Sequence, residues 1–232
     1  MQQELSTGFT GKIDMMIKNL GEISAVIFDM DGTILDSLDI WVQSDIQFIT
    51  EQGFEYDSSV SAQLKKLHFH SACDFLKEHY SLAMSPEAIG ERIMELVEHG
   101  YLHEAKLKEG AAEFIDKLAE NGVKMCVATS NEKGLAQGSL RNTGILDKMQ
   151  FVLTSDEVGE GKETPKIFLE AAKMLGEDIA HTVVFEDSSH AMHSAKLGGF
   201  KTVGVFEQRF PDEFDELKKE ADMTIKSFKE LL

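Results

Sequence analysis

Apolar residues along this chain follow two alternating rhythms. Brief apolar runs occur at Ala25-Val26-Ile27-Phe28, Val123–Ala128, Phe151-Val152-Leu153, Thr182–Phe185 and Thr202–Phe206, with Met223-Thr224-Ile225 as a candidate edge strand. Each is too short for a helix and is bounded by turn or polar residues, the pattern of a buried strand. Between the runs, apolar positions recur at helical spacing. Phe114, Ile115 and Leu118 share a face that stops at Asn121-Gly122. Pro165 opens a helix whose apolar face is Ile167, Phe168, Ala171, Ala172 and Leu175, and Gly176 closes it. A further helix runs from Ser188 to Leu197 and stops at Gly198-Gly199. Alternation of this kind predicts right-handed crossovers and a parallel sheet, hence an α/β fold.

Residues 37–105 interrupt that rhythm. They hold no buried strand pattern and read as amphipathic helices separated by Gly53, Pro86 and Gly100. An all-helical block inserted after the first strand is a second, smaller domain. The expected organisation is a lead-in over residues 1–22, in which Met15 and Met16 are alternative starts. An α/β core follows over 23–36 and 106–232, and a helical cap over 37–105. Met125, Met174 and Met192 read as core filler.

The formal net charge of −18 repels nucleic acid and anionic lipid, and obliges any anionic substrate to find a local counter-charge. Cys73 and Cys126 stand far apart without metal-ligand spacing and read as free thiols of a reducing compartment. No apolar run approaches the roughly 20 residues of a membrane span. The expectation is a cytoplasmic monomer with no nucleic-acid or membrane partner.

Ligands of open α/β sheets bind beyond the carboxyl ends of the strands. There the first strand delivers Asp29, Asp31 and Thr33; the second Thr129, Ser130 and Asn131; the third leads to Lys162; the fourth delivers Glu186, Asp187 and Ser188. Taken singly, these are a turn, a helix cap, a surface lysine and first-turn acids. Taken in order after successive strands, they bring carboxylates, a hydroxyl and an ammonium to one edge. Carboxylates crowded together repel unless a cation intervenes, and a hard divalent ion such as Mg2+ fits oxygen ligands. Lys162 and Thr129 then supply a charge and a donor for phosphoryl oxygens. The stretch Gly159–Thr164 is not a P-loop, because Asp156 stands where its first Gly belongs and Glu163 follows the Lys. His190 and His193 lack a partner cluster for a metal. His68 and His70, in the inserted block, are candidates to contact a substrate.

Together these residues resemble the haloacid dehalogenase superfamily, in the subfamily with a helical cap after the first strand, near its β-phosphoglucomutase and phosphoglycolate phosphatase members. The likeness covers about residues 23–228 and rests on four motifs: Phe28-Asp29-Met30-Asp31-Gly32-Thr33 with Asp36-Ser37; Ala128-Thr129-Ser130-Asn131; Gly161-Lys162 through Phe168; and Phe185-Glu186-Asp187-Ser188 to Gly199. It implies a Rossmann-like core. It also implies Asp29 as nucleophile, Asp31 as general acid and base, and Mg2+ held by Asp29, the Asp31 carbonyl and Asp187, with Glu186 in support. Thr129 and Lys162 would hold the phosphoryl group, with Ser130, Asn131 and His68 as further contacts. Trp41 and Phe69 stand where the mutase carries a His and a phosphate-gripping Arg; Lys65, Lys66 or His68 would have to replace the latter. Glu163 replaces the usual Pro after the motif Lys. The expected activity is therefore hydrolysis of a small phosphorylated metabolite, a sugar phosphate in the first instance. A phosphomutase is the alternative, and a non-catalytic binding module a more distant one.

Overall fold

A computed structural model describes residues 20–64 and 67–232. Most of the lead-in, and Lys65 and Lys66, lie outside the described residues. Within the lead-in, Leu20 is buried rather than loose. The chain divides into two compact units: Ser37–Ala105, and Lys106–Leu232 together with the described residues up to Asp36.

The larger unit is a six-stranded sheet. Its strands are β1 (Ala25–Phe28), β4 (Lys124–Thr129), β5 (Val152–Thr154), β6 (Thr182–Glu186), β7 (Lys201–Val205) and β8 (Met223–Ile225). They lie in the order β5-β4-β1-β6-β7-β8, and every pairing is parallel. The chain leaves β1 for one side of the sheet and later returns to the other, so β1 is the topological switch point where the crossover loops part and a ligand crevice opens. The run Met223–Ile225 forms the edge strand expected of it. Two short strands went unread, β2 (Leu35–Asp36) and β3 (Lys106–Leu107), which pair antiparallel where the chain leaves and re-enters this unit. At two residues each they carry no periodicity.

Strand alternation sends side chains to two faces. Ala25 and Ile27 pack with Cys126, Ala128 and Val184 beneath the apolar face of the helix Lys166–Leu175, where Ile167, Phe168, Ala171, Ala172 and Leu175 are all buried. On the other side Phe28 lies 5.1 Å from Phe185, which also meets Phe114 at 5.5 Å and stacks on Phe228 at 5.8 Å. Contacts of this type contribute about 0.5–1.5 kcal/mol each beyond area burial. They fix the residues immediately before Asp29 and Glu186. Met125 and Met192 are buried as core filler, but Met174 is 54% exposed on the outer side of its helix.

The smaller unit contains the helices α1 (Leu38–Glu51), α2 (Ser58–Leu64), α3 (Phe69–Tyr80) and α4 (Pro86–His103). Ser85 caps α4, accepting from the Ala88 N–H at 3.3 Å, and Pro86 occupies the first turn. Gly100 is not the helix break expected of it: it lies within α4. A Cβ there would come within 2.5 Å of Ile40 Cγ2, so the missing side chain lets α1 and α4 approach.

Asp45 of α1 is the anomaly of this unit. Burial raises its pKa from 3.8 to about 7, and its charge is felt by Tyr56 and Cys73, which face it. With the folded pKa above the unfolded one, the unfolded state releases its proton first as pH rises. Stability therefore falls from about pH 4 to about pH 7 and stays reduced above, by on the order of 2–4 kcal/mol. Asp45→Asn should melt close to wild type at about pH 4 and well above it at about pH 8. A melting-temperature difference that does not grow with pH would contradict this reading.

Candidate active site

The polar residues that follow the strands converge at the switch point. Asp29 follows β1, and its N–H continues the ladder to the Phe185 carbonyl at 2.9 Å. Gly32 then turns the chain with a φ of 81°, a conformation L side chains resist, and donates to the Leu35 carbonyl at 2.9 Å. This turn reverses the backbone directly after Asp31. Thr129 ends β4 and is buried; Glu186 ends β6, with Asp187 following it.

Carboxylate oxygens of Asp29, Glu186 and Asp187 all lie within 4.8 Å of one another. Lys162 reaches into this group from the loop before the helix Lys166–Leu175. Its ammonium donates to Asp29 Oδ1 and, at 2.8 Å, to Glu186 Oε2, and the residue is only 6% exposed. Burial alone would lower the Lys162 pKa, but the charges of Asp29 and Glu186 outweigh it and raise the pKa above the ordinary lysine value. Glu186 is raised by burial and by the Asp29 charge, against the opposing pull of Lys162. Asp187 is raised well above the usual carboxylate range by burial, then by Asp29 and Glu186.

Further contacts hold these groups in place. Thr33 Oγ1 donates to Asp187 Oδ1 at 3.0 Å, and the backbone N–H groups of Asp187 and Ser188 both donate to Glu186 Oε1 at 3.2 Å. Asn131 Nδ2 donates to Asp31 Oδ2 at 3.1 Å, while the Asn131 backbone N–H donates to Thr129 Oγ1 at 3.0 Å. The Asp31 carboxylate is thus tied to the β4 loop and stands outside the three-carboxylate cluster. Ser130 is exposed and shares a hydrogen bond with Ser155 at 3.2 Å. His68 is exposed just before α3, in the smaller unit. His190 and His193 bond Ser188 and Glu220, both at 2.6 Å.

Lys108 is the residue of this arrangement that the sequence did not reveal. Thr33 and Asp187 were legible in their motifs, but the hydrogen bond between them was not. Lys108, just after β3, reaches Asp187 electrostatically while paired with Glu207 at 2.7 Å. No local pattern marks that pair.

Three buried carboxylates against one ammonium leave an excess of negative charge, and Lys108 is already neutralised by Glu207. All three donors are hard oxygens. The donor set therefore fits a small divalent cation.

The sequence profile of the haloacid dehalogenase-like hydrolases matches residues 26–205. The chain belongs to that family. Among its relatives is a probable pseudouridine-5'-phosphatase of Drosophila melanogaster, 29% identical over 205 residues, covering 86% of this chain and 88% of that protein. Another is a phosphorylated carbohydrates phosphatase of Thermotoga maritima, 24% identical over 181 residues, covering 78% of this chain and 84% of that one. In fold, the chain is similar to a crystal structure of a Thermotoga maritima protein provisionally assigned as a β-phosphoglucomutase. That likeness has a TM-score of 0.82 at 24% identity and covers 90% of this chain and 97% of the other. No helix among the described residues is long and apolar enough to cross a membrane.

Proposed function

We propose that this chain is a magnesium-dependent phosphoric monoester hydrolase acting on a small phosphorylated metabolite, a sugar phosphate in the first instance. The observation that carries the reading is the buried Lys162 ammonium shared between Asp29 and Glu186 beside Asp187. Asp29 is the nucleophile: its carboxylate attacks phosphorus, the ester oxygen leaves, and an aspartyl-phosphate remains. A carboxylate nucleophile divides one difficult displacement into two easier ones. Asp31, held by Asn131, protonates the leaving oxygen and then takes a proton from the water that opens the acyl-phosphate. Lys162 and Thr129 hold the phosphoryl oxygens. Asp29, Glu186, Asp187 and the Asp31 carbonyl would hold Mg2+, which supplies charge neutralisation at the transferring group when bound. The unit of residues 37–105 selects the leaving group, with His68 as its candidate contact. The substrate class is supported by the two named phosphatases among the relatives.

The test is inorganic phosphate release from a panel of sugar and nucleoside monophosphates, with Mg2+ and with chelator. Release that requires Mg2+ and selects a few sugar phosphates is expected. Added Mg2+ should also raise the melting temperature, since an ion that binds only the folded state stabilises it by mass action. Silence across the panel, with no thermal response to Mg2+, would overturn the reading.

A further inference from the structure

The helical unit holds a cavity of about 270 Å³. Its walls come from all four helices, among them Trp41, Leu64, Phe69, Leu76 and Ile93, and they are overwhelmingly apolar. Native interiors rarely keep voids larger than a water molecule, and a dry apolar cavity of about 150 Å³ already accommodates benzene. The space here is larger than either. The Trp41 and Phe69 rings meet edge to face at 6.3 Å and are each more than a third exposed, so this pair marks the cavity's way out to solvent.

Among the described residues, two polar side chains line the space, Asp45 and Ser61. The Ser61 hydroxyl is engaged by Tyr56 at 2.9 Å. Among the described residues, the Asp45 carboxylate makes no hydrogen bond and no ion pair, and burial is the cause of its raised pKa. A leucine at this position would fill space and remove the penalty, so the carboxylate costs stability where it stands, as functional groups in clefts commonly do. One anionic group in an aromatic-walled cavity is complementary to a cation carried on an apolar body: the carboxylate pairs with the charge and the ring faces attract it.

We propose that this cavity binds a small organic amine of roughly ten heavy atoms, its apolar body between Trp41, Phe69 and Leu76 and its ammonium paired with Asp45. Its test reads binding and not phosphate release, so its failure and the failure of the phosphatase reading are distinguishable.

Trp41 is the single tryptophan of the chain, so its fluorescence reports directly on the cavity. The full chain would be titrated at a pH above the Asp45 value of about 7 with phenethylamine, phenethyl alcohol and phenylacetate. A saturable change in emission is expected with the amine, with affinity at least about tenfold weaker for the alcohol and the anion. Asp45→Asn should weaken amine binding by at least about tenfold and leave alcohol binding unchanged. Leu76→Phe, which fills the space, should abolish the response to all three. The near-ultraviolet circular dichroism of each variant reports its folding independently. No saturable response to phenethylamine, equal affinity for the three probes, or amine binding unchanged in a folded Asp45→Asn overturns the proposal.

Discussion

Asp29→Asn should remain folded and lose phosphate release by at least about 10⁴-fold, the scale on which removal of a covalent nucleophile acts. The substitution is isosteric at a site that is only 6% exposed, so packing against β1 and β6 is preserved. It removes the charge that attacks phosphorus and replaces a strong nucleophile with an amide. It also relieves repulsion with Glu186 and Asp187, both of which are pushed toward protonation by burial and then by the Asp29 charge. The melting temperature in the absence of metal should therefore stay level or rise while activity vanishes. Measured together, kcat and the melting curve separate loss of chemistry from loss of fold. Substantial turnover in a folded Asp29→Asn protein would mean that another group attacks phosphorus.

Lys162→Met should reduce both activity and stability, and the stability loss should depend on metal. The methionine keeps much of the side-chain volume but leaves Asp29 and Glu186 buried without their shared cation. Removing one partner of a buried pair costs about 3–5 kcal/mol, because the other charge is left uncompensated. A divalent ion bound by the same carboxylates would restore part of the missing positive charge. The melting deficit of Lys162→Met relative to wild type should then be largest with chelator and smaller with Mg2+. Activity should fall by about 10²–10³-fold at saturating Mg2+, the loss seen when one donor to the transition-state charge is removed. A deficit that is the same with and without Mg2+ would show that the ion and Lys162 do not share these carboxylates.

The parts of this fold that were legible in the sequence are those with local periodicity. The run Ala25–Phe28 reads as a buried strand because all four residues are apolar, and all four are buried on the two faces of the sheet. The helix after Pro165 reads correctly because its apolar stripe and its Gly176 stop obey local rules. Chemistry carried by motif order was legible too: Asp29, Lys162, Glu186 and Asp187 meet because each follows a strand on the same sheet edge. Contacts between side chains distant in sequence were not legible. The bonds of the Asn131 amide to Asp31 and of the Ser130 hydroxyl to Ser155 are of this kind. The Lys108–Glu207 pair has no pattern at all. Gly100 misled because glycine inside a helix looks like a break when the neighbour that needs the space, Ile40, is invisible. The same holds for Asp45, an ordinary polar position of an amphipathic helix until the apolar walls around it are known.

A covalent phosphoryl group on Asp29 can be trapped during turnover. Enzyme turning over the best substrate of the panel would be quenched in acid, digested and analysed by mass spectrometry with and without hydroxylamine, which cleaves acyl-phosphates. The expected result is one phosphoryl group on the peptide containing Asp29, lost on hydroxylamine treatment and absent from Asp29→Asn. A hydroxylamine-sensitive phosphoryl group on a different peptide, or active enzyme that accumulates none under rapid quench, would contradict the assignment of Asp29 as nucleophile.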